Sequence, residues 1–290
     1  MTKRRIELTG AEGNPLSAEI RGQTGHPVIL LHGGGQTRHA WEKTAVTLAA
    51  KGMRAICVDL RGHGDSAWVE SGHYRFSDFG RDAHAIIRQV SEMCGERPSG
   101  VGASLGGLSF LTSEINIEPD LTSLVLVDIV PRMNPDGVAR ITGFMQSRMA
   151  EGFASLEEAA DAIAAYLPHR KRPKSLDGLS KNLRLGSDGR YRWHWDPNFA
   201  AGEYSIDTGA EAHIVALDAN LDRLECPVLL VRGMQSELVG EEIARDTVAR
   251  IPKGEYADVG GAGHMVAGDR NDVFCDAIIA FLTRVEGTGL

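Results

Sequence analysis

The chain has 290 residues, of which 42% are hydrophobic and 24% charged, and a formal net charge of −8. That length suits one large α/β domain, or one domain carrying an insertion, with enough apolar residues for a sizeable core. The negative balance argues against general affinity for nucleic acid or an anionic membrane, and no apolar run approaches the length of a membrane span.

The start, "MTKRRIELTG", is basic but has no apolar stretch behind it, so no cleaved leader and a cytoplasmic location are expected. Next, "RRIELTGAEGNPLSAEIRG" reads as two strands joined by a Gly-Asn-Pro turn. Short apolar runs follow at 27–35, 54–64, 98–104, 121–131, 227–233 and 254–261, each ending in glycine or a charged residue. Runs such as Val28–Leu31 and Val228–Val231 do not alternate, which suits parallel strands covered on both faces. Helical patterns lie between them at 41–52, 77–95, 241–252 and 271–285. Ser77 and Asp78 are the expected N-cap of the second, and Gly52 and Gly95 the expected C-caps. The alternation predicts a mostly parallel sheet with helices on both faces.

Residues 132–224 break the rhythm, with no buried strand expected there. They hold helical stretches, the basic run "HRKRPK" at 169–174 and the aromatic run "RYRWHWDPNF" at 190–199. This predicts a mostly helical inserted subdomain between adjacent strands. The basic run reads as a solvated face, the other reading being a dock for an acidic group. Cys57, Cys94, Cys226 and Cys275 form no CxxC pair, so no metal site is expected, and Cys57 and Cys226 read as buried thiols.

Chemistry concentrates at the strand ends. "GASLG" at 102–106 fits a G-x-S-x-G turn from strand into helix, with Ser104 at the strained corner and small residues where backbone must pass closely. No lysine follows the last glycine as a phosphate loop requires. A serine nucleophile needs a base, and His264 in "GGAGHM" follows the last predicted strand, whereas His84 lies within a helix and His26 at the opposite edge. An acid should accept the histidine's Nδ1–H. Glu237, in the loop after "PVLLVRGMQS", is the first choice. Asp128, at the end of "LVLVDIV", is the alternative, its other role being to order the loop leaving its strand. Two amides should stabilise an oxyanion: that of Leu105, and that of Gly34 in "LHGGGQTRHAW", with Gly35 a further candidate. His32 is expected to prop this loop.

Together "LHGGG", "DLRGHGDS", "GASLGG", "PVLLVRG…SELV" and "GAGH", in this order, resemble the α/β-hydrolase family over nearly the whole chain, in its capped esterase, lactonase and haloperoxidase-like branch. The resemblance implies an eight-stranded, mostly parallel sheet flanked by helices, a core of residues 1–131 and 225–290, and a helical cap of 132–224. It implies that Glu237, where the family most often has Asp, is the acid, and that Asp59, Arg61, His63 and Asp65 shape a loop near the site. Gly35, Phe144, Phe153, Trp193, His194 and Trp195 are expected to line the substrate pocket. The implied activity is hydrolysis of a small-molecule ester or lactone through an acyl-enzyme, with no cofactor. The other readings are C–C bond hydrolysis or cofactor-free perhydrolysis at the same site, and a non-catalytic ligand receptor. A second copy of the chain is an open partner.

Overall fold

The computed structural model describes residues 3–166, 176–265 and 271–287. Strands β1 (Lys3–Thr9) and β2 (Pro15–Arg21) form the predicted hairpin, and β3 (Pro27–Leu31), α1 (Glu42–Ala50), β4 (Arg54–Val58), α2 (Phe76–Cys94), β5 (Ser99–Ala103), α3 (Leu105–Asn116) and β6 (Leu124–Val127) follow in alternation. Residues 132–224 then leave the sheet as α4 (Pro135–Gln146), α5 (Leu156–Tyr166), α6 (Asp177–Ser180), β7 (Leu183–Leu185), β8 (Tyr191–Trp193), α7 (Asn198–Ala201) and α8 (Ala210–Ala219). The chain returns through β9 (Val228–Gly233), α9 (Glu241–Ala249), β10 (Gly254–Val259) and α10 (Cys275–Val285).

The eight-stranded sheet runs β1-β2-β4-β3-β5-β6-β9-β10. The first two pairings are antiparallel and the others parallel. Its central strands are apolar throughout because consecutive residues serve opposite cores. Ile29 and Leu31 face one, with Phe79, Ile86 and Leu111 of α2 and α3, while Val28 and Leu30 face the other, with Leu48 of α1 and Ile278 of α10. Parallel strands bring the ends of β3, β5, β6, β9 and β10 to one edge, and the inserted segment packs over it, with α8 against α2 and α3.

Three local expectations need correction. The insertion holds a β7–β8 hairpin, whose three-residue strands are too short to leave a period in the sequence. Helix α2 starts before Ser77. Its N-cap is Arg75, and Asp78, inside the first turn, accepts the Arg75 N–H at 2.9 Å. The patterns at 41–52 and 271–285 each open with a 3₁₀ turn, Arg38–Trp41 and Asn271–Phe274, before the α-helix. The basic run 169–174 lies outside the described residues. The four cysteines are free, and Cys57 and Cys226 are buried as expected. Among the described residues no helix is long and apolar enough to cross a membrane.

Candidate active site

Ser104 sits between β5 and α3 with φ 46° and ψ −115°, a conformation that L side chains rarely adopt and that costs roughly 1–3 kcal/mol. The surrounding glycines make the corner sterically feasible. A Cβ on Gly102 would lie 2.5 Å from the Gly106 carbonyl carbon and the Gly107 nitrogen, and one on Gly106 would lie 2.5 Å from the Leu31 carbonyl oxygen. The Gly106 N–H donates to that same strand end, at His32 O, over 3.1 Å. The serine therefore stands at the N-terminus of α3, where the helix dipole favours negative charge.

His264 meets an acid, and that acid is Asp128 rather than Glu237. The His264 Nδ1 to Asp128 Oδ2 distance is 2.8 Å, and both side chains are buried. Asp128 leaves β6 with φ 50°. Its Oδ1 accepts the Gly233 N–H at 3.0 Å, and its Oδ2 accepts the Ser236 hydroxyl at 2.8 Å. An ionised carboxylate only accepts, so the Nδ1 carries the proton and Nε2 is left with its lone pair. The reason for the exchange lies in the loop after β9. Its turn, Ser236 N–H to Gly233 O at 2.9 Å, aims Ser236 at Asp128. Glu237 points instead into the insertion, where it accepts from Arg140 Nη1 at 2.6 Å and from the Tyr166 hydroxyl at 3.1 Å.

The glycine-rich loop after β3 is braced by two buried imidazoles. His32 donates Nδ1–H to Gly33 O at 2.8 Å and accepts the Leu60 N–H at Nε2 at 3.0 Å. His63 donates Nδ1–H to Arg61 O at 2.9 Å and accepts the Gly35 N–H at 3.1 Å. Burial pushes them down to about 4 and about 3, so both are neutral at physiological pH. Gly35 is thus committed to the brace, which removes it as an oxyanion donor, and it does not line the cavity. Among the described residues no acceptor takes the N–H of Gly34 or of Leu105, and both residues line the cavity. The expected shaping role of "DLRGHGDS" is visible in three ion pairs. Arg38 binds Asp59 and Asp65, and buried Arg61 grips buried Asp82 through two bonds of 2.7 and 2.6 Å.

Ser104 and His264 line one cavity of about 120 Å³, room for about four waters. Its walls are largely aliphatic, including Val138, Ile141 and Met145 from one face of α4, with Phe76 and Phe199 as the aromatic members. The aromatic residues expected in the pocket pack the insertion instead. Phe144 stacks on Tyr166 at 4.3 Å, Trp193 meets both Phe144 and Phe153, and Trp195 meets Phe199 edge-on at 5.8 Å. His194 accepts from Arg184 Nη2 at 2.6 Å. Large rings satisfy the insertion's own small core first, and the cavity falls to unbranched and branched aliphatic chains. The signal was present in the helical spacing of Val138, Ile141 and Met145. One carboxylate–imidazole group, Glu12, His73 and Asp78, has ligand atoms within 4.8 Å of one another. Arg61 already binds Glu12, and Arg75 and Arg81 bind Asp78, so cations that a metal would have to displace hold those oxygens.

The chain matches the family model described as "Alpha/beta hydrolase family" over residues 28–277. It is 30% identical over 271 residues to Esterase Rv0045c of Mycobacterium tuberculosis, covering 91% of this chain and 85% of that one. It is 27% identical over 252 residues to a 3-hydroxybutyrate-oligomer hydrolase of Cupriavidus necator, covering 84% of each. A crystal structure of an alpha/beta hydrolase from Novosphingobium aromaticivorans aligns with a TM-score of 0.79 at 26% identity, over 99% of both chains. The family match runs from β3 into α10 and so takes in the strand ends that carry Gly34, Ser104, Asp128 and His264: the chain belongs to the alpha/beta hydrolase family.

Proposed function

We propose that this protein hydrolyses carboxylic esters through a covalent acyl-enzyme. Ser104 is the nucleophile, His264 the general base and Asp128 the acid that fixes the imidazole. The observation that carries the reading is the 2.8 Å contact of His264 Nδ1 with buried Asp128, in a site where His264 and Ser104 line the same cavity. Nε2 takes the Ser104 proton as Oγ attacks the ester carbonyl. Gly34 and Leu105 N–H groups receive the oxyanion, each worth about 3–4 kcal/mol in the transition state by the usual cost of removing one such donor. The imidazolium gives its proton to the departing alcohol. Water, deprotonated by the same nitrogen, then releases the acid. Residues 132–224 act as a cap, since α4 and α7 supply walls of the cavity. The esterase and oligoester hydrolase among the relatives support this substrate class. The small cavity favours short chains.

The test is turnover of p-nitrophenyl acetate through octanoate, beside labelling by a fluorophosphonate. Wild type should turn over the short esters and carry the label on Ser104. Ser104→Ala should lose at least about 10³-fold in kcat/KM with an unchanged melting temperature. Full activity in that variant, or a label elsewhere, would overturn the mechanism.

A further inference from the structure

We infer that Asp207 gives this site a charge preference: it favours esters carrying a cationic group and rejects those carrying a second carboxylate. The inference rests on the ester-hydrolase reading above. Asp207 lines the same cavity as Ser104 and His264. Apart from His264 it is the one ionisable side chain among the described lining residues, and the walls nearest it in sequence, Phe199, Ala200 and Ile206, are apolar.

Two further observations bear on its effect. The backbone there is pinned, with Ile206 N–H bonded to Phe199 O at 2.9 Å, Thr208 N–H to Ser205 O at 3.0 Å and Ala210 N–H to Asp207 O at 3.2 Å. The backbone of Asp207 is thus held beside the cavity, and its side chain is exposed. Moreover, no described cation neutralises it. The arginines next in sequence to lining residues Phe76, Ile141 and Met133 are committed elsewhere: Arg75 to Asp78, Arg140 to Glu237, and Arg132 to Asp218 and Asp246. A substrate carboxylate therefore meets an uncompensated negative charge and no described positive side chain on the cavity wall. A trimethylammonium group meets a carboxylate beside methyl and aromatic surface, which suits a weakly hydrated cation. One unit charge roughly 5–8 Å from Asp207 across a wet rim is worth about three- to tenfold in kcat/KM in either direction.

The experiment compares butyrate esters of choline, of its uncharged isostere 3,3-dimethylbutanol, and of 3-hydroxypropanoate, with a parallel set bearing the charge on the acyl side. Wild type should prefer the cation over the isostere by about three- to tenfold, and the isostere over the anion by a similar factor. In Asp207→Asn both ratios should move toward one, and in wild type both should shrink when ionic strength rises from 20 to about 500 mM, where screening shortens the reach of the charge. Ratios that do not change in Asp207→Asn would overturn the inference while leaving ester hydrolysis standing. Choline and 3,3-dimethylbutanol as dead-end ligands, measured by calorimetry, read the same discrimination without catalysis. A preference there with no ester turned over would overturn the ester reading alone.

Discussion

A carboxylate that receives an amide, a hydroxyl and an imidazole proton at once is fixed in place by several hydrogen bonds. Asp128 is in that position, with Gly233, Ser236 and His264 as donors. Glu237, one residue beyond Ser236, is held by an arginine and a tyrosine of the insertion. Asp128→Asn keeps the shape but presents the imidazole with an amide, which disturbs its tautomer and removes the charge that stabilises the imidazolium. It should lower kcat/KM by about 10³–10⁴-fold. Glu237→Gln should stay within about threefold, because its partners lie in the insertion and not at the imidazole. Steady-state kinetics on one short ester checks both, and a severe loss in Glu237→Gln with little in Asp128→Asn would reverse the roles. The sequence left these two carboxylates open because strand order places both at the correct sheet edge. What separates them is a turn of four residues after β9 and a positive φ at Asp128, neither of which has a composition signature.

Helix α3 shows the opposite case, an element legible from its first residues. Glycines at 102 and 106 are required by backbone contacts at 2.5 Å, so the pentapeptide states its own geometry. What it does not state is how the far end is satisfied. Glu114, buried near the helix C-terminus, accepts the N–H groups of Asp120 and Leu121 at 3.2 Å. Burial, opposed in part by those bonds, raises its carboxyl from 4.5 to about 7. The folded chain therefore holds this proton more tightly than the unfolded chain. The contribution of Glu114 to stability is therefore fully present below pH 4.5, falls as pH rises toward about 7, and is lost above that. Glutamine keeps an acceptor for the two amides and cannot ionise. Glu114→Gln should thus match wild type near pH 4.5 and exceed it at pH 8 by up to about 3 kcal/mol. Thermal melts of both proteins across that range read the difference, and a gap that does not widen with pH would show that ionised Glu114 carries no penalty.

On the scale of the whole molecule, the sheet was readable because its strands serve two cores and so appear as unbroken apolar runs. The bounds of the insertion were readable as a break in that rhythm, but its internal packing was not, because its contacts are made across long stretches of chain by side chains with no common period. Those contacts are uneven. At the β8–α7 end, Gly64 N–H bonds His194 O and Asp196 N–H bonds Gly62 O, both at 2.8 Å, and buried Tyr74 donates to buried Asp196 at 2.6 Å. At the α4 end one backbone bond, Asn134 N–H to Leu238 O at 2.9 Å, holds the start of the helix, and beyond it the side-chain ties are those of Arg140 and Tyr166 to Glu237, the first a pair with side chains 50% and 27% exposed and worth about 0–1 kcal/mol. Helix α4 buries Gly137 and Phe144 and leaves its other residues partly or fully open, although it forms a wall of the cavity. Local opening should therefore occur at α4 while the Asp196 end stays closed, which would admit substrate between α4 and the loop after β9. Hydrogen exchange measures this. Amides of residues 139–146 should exchange at least about tenfold faster than those of 194–199, a gap of roughly 1.4 kcal/mol in opening free energy. Arg140→Ala should speed the first group and leave the second unchanged, and Tyr74→Phe should do the reverse. Equal exchange at both ends, or a common response to either substitution, would mean that the insertion moves as one body and that substrate is admitted by lifting it whole.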